Sequence, residues 1–174
     1  ATAAVVRLVT LTAIRAGGEG YVRERGPRRA TTLLKSNITI AKGLCALQFK
    51  AKGGAIVSKD LRDRRLLAAV KRLVDLPGRR LFQYRDAEGG VRQVHASDVN
   101  RFLREVAGQS ISLKDFRTLL ASTTALKTLA ATIPATSARG RRSQVRAAVT
   151  AIAGELANTP TVCRTSYVHD AVIT

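Results

Sequence analysis

Three stretches in the C-terminal part of the chain carry residue types suited to chemistry at phosphorus. They are Lys114-Asp-Phe-Arg117-Thr118, Asn158-Thr-Pro160 and Cys163-Arg-Thr-Ser-Tyr167-Val-His169. Guanidinium and ammonium groups can offset the charge that grows on phosphate oxygens in a transition state, and a hydroxyl can attack. The sequence holds no P-loop, no GxSxG and no HExxH. Several of its 12 acidic residues stand beside or near Arg or Lys (Asp60, Asp63, Asp86, Asp98, Asp115), which does not suit the carboxylate cluster of a metal-dependent nuclease. Any phosphodiester chemistry must therefore draw its cations from side chains and its nucleophile from a hydroxyl.

The composition points to a polyanionic partner. The 174 residues include 30 Lys plus Arg, a formal charge of +18, and 45% are hydrophobic. A chain this apolar can build a core, so a disordered polyelectrolyte is excluded. A fold this basic favours nucleic acid, with an anionic membrane as the remote second choice. Cys45 and Cys163 cannot form a disulfide framework, and His95 and His169 have no metal-ligand spacing. No apolar run approaches a membrane span, and Arg7 and Arg15 interrupt the apolar opening stretch. We expect a soluble protein, cytoplasmic and nucleoid-associated if bacterial, a monomer, with no cofactor and no metal.

The elements that must position these residues follow from periodicity and stop signals. Ala1 to Gly17 reads as a helix ending at Gly17-Gly18, and residues 17 to 30 as a Gly/Arg-rich connection. Thr31 to Ile40 is β-branched in part and predicts one short strand with a turn near Ser36-Asn37. Leu44 to Phe49 and Ala55 to Val57 predict a hairpin with the basic tip Lys50-Ala51-Lys52-Gly53-Gly54. From Asp60 the pattern turns helical up to Pro77-Gly78, with Leu61 on its face. Leu81 to Tyr84 reads as extended and Asp86-Ala-Glu-Gly-Gly as a turn. Ser97 is expected to cap a helix through Ala107. Ser112 is expected to cap a helix carrying Phe116, Leu119, Leu120, Leu126 and Leu129. Residues 134 to 143 read as a basic loop, Gln144 to Ala157 as an amphipathic helix, and a last short helix contains Tyr167. The class is mainly α with a small antiparallel sheet near the N-terminus (α+β). We expect one domain over 1–174, its sheet part about 18–58 and its helical part about 60–174.

The three opening stretches occur in the order that resembles the catalytic domain of the poxvirus-like and bacterial type IB DNA topoisomerases. Ile14-Arg15-Ala-Gly17 with Tyr21 and Thr31-Thr-Leu-Leu-Lys35 resembles the family's first arginine motif, and Phe49-Lys-Ala-Lys52-Gly53 its catalytic-lysine motif. Leu76-Pro-Gly78 and Leu81-Phe-Gln-Tyr84 complete a likeness that spans nearly the whole chain. The resemblance implies the type IB topoisomerase/tyrosine recombinase fold. It implies that Tyr167 attacks a phosphodiester of double-stranded DNA and forms a 3′-phosphotyrosyl bond, needing neither ATP nor metal. Arg15 and Arg117 would hold the non-bridging oxygens, and Lys52 would protonate the departing 5′-oxygen. Asn158 stands where many relatives carry histidine; an amide donates a hydrogen bond but moves no proton. The family's N-terminal β-rich clamping domain and the initiator methionine are both missing from the chain, which reads as an isolated catalytic fragment or a truncated natural chain.

By residue type alone, Tyr167 is a packed surface tyrosine, Lys52 a hairpin-tip lysine, Arg15 a snorkelling helix residue and Arg117 a partner for Asp115. Lys114 could face the same phosphate as Arg117 or solvent. Tyr21 and Lys35 could touch DNA, with packing an equal reading for Tyr21. The runs Arg28-Arg29, Arg62-Arg64-Arg65, Arg79-Arg80 and Arg139-Arg141-Arg142 read as phosphate tethers or solvated faces. His95 reads as structural and His169 as a neighbour of the site. A tyrosine recombinase or integrase is the nearest rival; Lys114-x-x-Arg117 in place of its His-x-x-Arg favours the topoisomerase. A DNA-binding module without chemistry is the rival from another class.

Overall fold

The computed structural model describes residues 1–17, 26–51 and 54–173. Tyr21 and Lys52 lie outside the described residues. The chain forms two compact units, Ala1–Leu113 and Lys114–Thr174. It is mainly α-helical with small antiparallel sheets toward the N-terminus, the class read from the sequence.

In the first unit, α1 (Thr2–Thr12) buries Ala4, Val5, Leu8 and Val9, a stripe at helical spacing. It stops at Ala13, earlier than the glycine pair predicted. Ala13 takes a left-handed conformation, φ 51°, and its N–H donates to Val9 O at 2.7 Å. The chain beyond it is recruited by backbone pairing: Ala30 N donates to Arg15 O at 2.8 Å and Thr31 N to Ala16 O at 3.0 Å. A left-handed residue cannot continue a right-handed helix, and these bonds hold the chain after it extended against residues 30 and 31.

The three-stranded sheet has the order β1 (Ile38–Ala41), β2 (Leu44–Lys50), β3 (Ile56–Leu61), all antiparallel. Lys42 and Gly43, with φ of 46° and 76°, make the two-residue turn between β1 and β2; positive φ at both positions matches the twist of the strands. On β2, Cys45, Leu47 and Phe49 are buried, every second residue, as one face of a strand requires. Two expectations change here. Thr31 to Asn37 forms two short 3-10 turns, Ala30–Thr32 and Lys35–Asn37, and only Ile38 onward is strand. Asp60 and Leu61 belong to β3, paired with Ala46 and Cys45, and not to the helix. Burial of Leu61 on the core side of the sheet outweighs its fit to a helical stripe.

The helix α2 (Arg64–Val74) starts where Asp63 can cap it, accepting from Leu66 N at 2.8 Å. Asp63 also takes a two-pronged contact from Arg7 of α1, at 2.5 and 3.3 Å. That contact, first, and the Leu66 N–H, second, hold its carboxyl down at about 2. A second, two-stranded sheet pairs β4 (Gln83–Arg85) with β5 (Val91–Gln93). The sequence showed the turn at Asp86 but not the returning strand, which is three residues long with two of them polar. His95, not Ser97, occupies the cap of α3 (Ala96–Ala107): Asp98 reaches back to accept from His95 N at 2.9 Å.

In the second unit, α4 (Leu113–Ala130) buries Arg117, Ala121 and Ala125, while Leu119 and Leu126 are exposed. The large residues that marked its apolar face thus do not define its inner line. The helix α5 (Ala138–Glu155) begins a turn and a half before the predicted Gln144, capped by Ser137 through Gly140 N at 3.0 Å. Arg139, Arg141 and Arg142 are therefore helical, not loop, residues. The last helix, α6 (Pro160–Ser166), is capped by Thr159 with Pro160 in its first turn. Tyr167 is not within α6 but immediately after it.

Candidate active site

The second unit gathers Arg117, Tyr167 and the Asn158 segment. Arg117 is 2% exposed. One of its terminal nitrogens donates to Leu156 O at 3.1 Å, and its guanidinium carbon lies 4.8 Å from the centroid of the Tyr167 ring. A cation over the electron-rich face of a phenol is attractive, and more so away from water. The carbonyl that holds Arg117 belongs to the end of α5. There Ala157, with φ 49°, donates to Gly154 O at 3.1 Å, and Asn158 N donates to Ala153 O at 2.9 Å. This crossed pair of bonds is the Schellman ending, with alanine in the place glycine usually takes. It turns the chain so that Leu156 O faces Arg117 and Asn158 follows two residues later.

Tyr167 is half-buried. Its N–H donates to Cys163 O at 3.0 Å, closing α6. Ser122 of α4 donates to Tyr167 O at 3.2 Å and accepts from His169 N at 3.0 Å. No motif marked Ser122. Cys163 is fully buried, and burial pushes its thiol pKa up, opposed by nearby Arg117. A buried neutral thiol is a poor nucleophile, and the half-buried Tyr167 ring is the group that lies against the Arg117 guanidinium. His169 uses its Nδ1 to accept from Ala171 N at 3.2 Å. Lys114 is exposed at the start of α4. Arg141 folds back onto Ala135 O and Thr136 O at 3.2 and 2.9 Å, and Arg142 onto Ala138 O at 3.3 Å.

The first unit carries the other candidates. Arg15 is half-buried, its main chain pinned by Ala30. Gly17 packs on Thr31, whose hydroxyl donates to Ala16 O at 3.2 Å. Lys35 donates from Nζ to Leu76 O and from its main chain to Arg79 O at 3.0 Å. Gln83 donates to Pro77 O at 3.0 Å and Arg80 O at 2.8 Å. The segments 31–35, 76–78 and 81–84, scattered in sequence, are thus one hydrogen-bonded assembly. It borders a cleft of about 300 Å³ lined by Arg28, Arg79, Arg80 and Gln93. Burial, then the charge of Arg28, lowers the Arg80 pKa. Arg28 also donates from its main chain to Lys50 O at 2.8 Å, and Ala51 N and Ala55 O close the hairpin tip at 2.8 Å. Arg29 lies at the start of the Ala30–Thr32 turn.

A family model described as eukaryotic DNA topoisomerase I, catalytic core, matches residues 1–174. The chain belongs to that family. Among curated proteins it is similar to DNA topoisomerase 1B of Acanthamoeba polyphaga mimivirus, 28% identical over 162 residues. That match covers 89% of this chain and 48% of the relative, so the chain spans about half the relative's length. The matched residues span all of the segments that carry the resemblance. Among its described residues no helix is long and apolar enough to cross a membrane, and no group of three metal-capable side chains converges.

Proposed function

We propose that this topoisomerase-family chain relaxes supercoiled DNA by transient cleavage of one strand. The observation that carries the reading is the buried Arg117 guanidinium stacked on Tyr167, in a chain matched along its whole length by the topoisomerase catalytic core. In the cleavage step the Tyr167 oxygen forms a bond to a DNA phosphorus, and the bond from phosphorus to the 5′-oxygen breaks. The phenol proton passes to solvent, and Lys52 gives a proton to the departing oxygen. Arg15 and Arg117 carry the charge on the non-bridging oxygens, and Asn158 donates a hydrogen bond to one of them. Religation is the reverse, and the phosphotyrosine conserves the energy of the broken bond, so neither ATP nor a metal is required. Lys114, Arg28 and Arg29 are the phosphate contacts we assign around the site. Tyr21, Lys35, Arg141 and Arg142 are further candidate contacts, of which Lys35 and the two arginines would act from side chains that also brace the fold.

Tyr167→Phe tests this reading. The variant should form no covalent adduct and relax no plasmid, while binding duplex DNA as tightly as the parent. Relaxation that survives the substitution would overturn it.

A further inference from the structure

We infer that Ser122 is a positioning residue for the Tyr167 nucleophile, holding the main chain of the tyrosine while Arg117 holds its ring. The inference rests on the transesterification reading above. Its observation is separate: one hydroxyl donates to Tyr167 O at 3.2 Å and accepts from His169 N at 3.0 Å. A serine hydroxyl has one proton to give and lone pairs to accept with, and here it spends them on both sides of Val168. Val168 itself is buried and donates to Cys163 O at 3.1 Å.

Tyr167 needs such a hold because α6 stops at Ser166. The tyrosine backbone, with φ −133° and ψ −25°, is outside the helix. Its carbonyl therefore has no helical partner, and a terminal turn of this kind is free to fray. Ser122 and Arg117 both belong to α4, five residues apart, which is about 7.5 Å along a helix axis. One rigid element thus grips the tyrosine at two separated points, the ring and the peptide. Two points define a direction, and in-line attack depends on direction: misplacement of a reacting group by about 1 Å can cost a hundredfold in rate.

The test compares Ser122→Ala and Ser122→Thr with the parent in the full chain, using a labelled duplex under single-turnover conditions. Covalent adduct formation by Ser122→Ala should slow about ten- to a hundredfold, with unchanged affinity for the duplex. Religation should slow by the same factor, because both directions share one transition state. Ser122→Thr, which keeps the hydroxyl, should recover most of the rate. An Ala variant within about twofold of the parent rate overturns the role of Ser122 alone. Parallel loss of rate and affinity, unrestored by Thr, also overturns it, by making Ser122 a residue of the fold. No adduct from the parent overturns the transesterification reading and this role with it.

Discussion

A Cβ atom placed on Gly17 would stand 2.2 Å from the Thr31 hydroxyl oxygen. The glycine has φ +135°, a conformation that L side chains rarely adopt. The contact closes a gap of 14 residues and holds the Arg15 main chain against Ala30. Gly17→Ala should destabilise the fold by about 2 kcal/mol or more, through clash and backbone strain together. It should also cut cleavage strongly, because Arg15 moves with it. Urea unfolding and single-turnover cleavage of the one variant check both. A stable variant with parental rate would show that the contact does not place Arg15.

Arg117 is buried and makes its contacts by shape as well as charge. Arg117→Ala should lower the cleavage rate about 10²- to 10³-fold with little loss of duplex binding. Arg117→Lys should fail to restore it, since an ammonium cannot reach Leu156 O, cover the Tyr167 ring and grip a phosphate from one planar group. Measured rates for the two variants decide between a planar fork and a simple positive charge.

The left-handed alanine that ends α5 offers a gain. Glycine adopts that conformation without the roughly 1 kcal/mol that alanine bears. Ala157→Gly should raise the unfolding free energy by about 0.5 to 1 kcal/mol and leave cleavage intact. A fall in stability on urea titration would contradict the Schellman assignment.

The Arg7–Asp63 contact joins α1 to the cap of α2. The Asp63 carboxyl is held at about 2, below its ordinary 3.8. A depressed carboxyl stabilises the fold above its unfolded pKa and loses that contribution as pH falls through the folded one. Stability should therefore drop as pH goes from about 4 to about 2. In Arg7→Ala that part of the slope should shrink, as denaturant midpoints measured across the window would show.

Binding to duplex DNA should weaken steeply with salt, as each phosphate contact releases a counterion. Arg28→Ala should weaken it equally for unrelated sequences and reduce the salt slope by about 1. Relaxation should continue in the presence of a chelator. A flat salt response would argue against the basic cleft as a DNA surface, and inhibition by the chelator would point to a metal site.

Much of the molecule was legible before any fold was seen. Charge, the absence of nucleotide and metal motifs, and the order of the arginine, lysine and tyrosine segments depend on residue identity alone. So did the hairpin of Leu44 to Phe49 with Ala55 to Val57 and the short helix near the C-terminus, where the signal spans a few neighbouring residues. Several errors fell where another contact outbid local preference. Leu61 fits a helical stripe but pairs with Cys45 across the sheet, and α1 ends at a left-handed Ala13, beyond which the chain pairs with Ala30 and Thr31. His95 became a cap through an aspartate three residues on, where serine at 97 looked the better candidate. Which residues touch was decided by tertiary structure only: Gly17 with Thr31, Gln83 with Pro77, Arg117 with Tyr167, Ser122 with the peptide after α6. Periodicity reports on a residue's own turn or strand. A hydrogen bond between segments tens of residues apart leaves no mark on either, so the sequence offered candidate reactive groups but not the contacts that hold them.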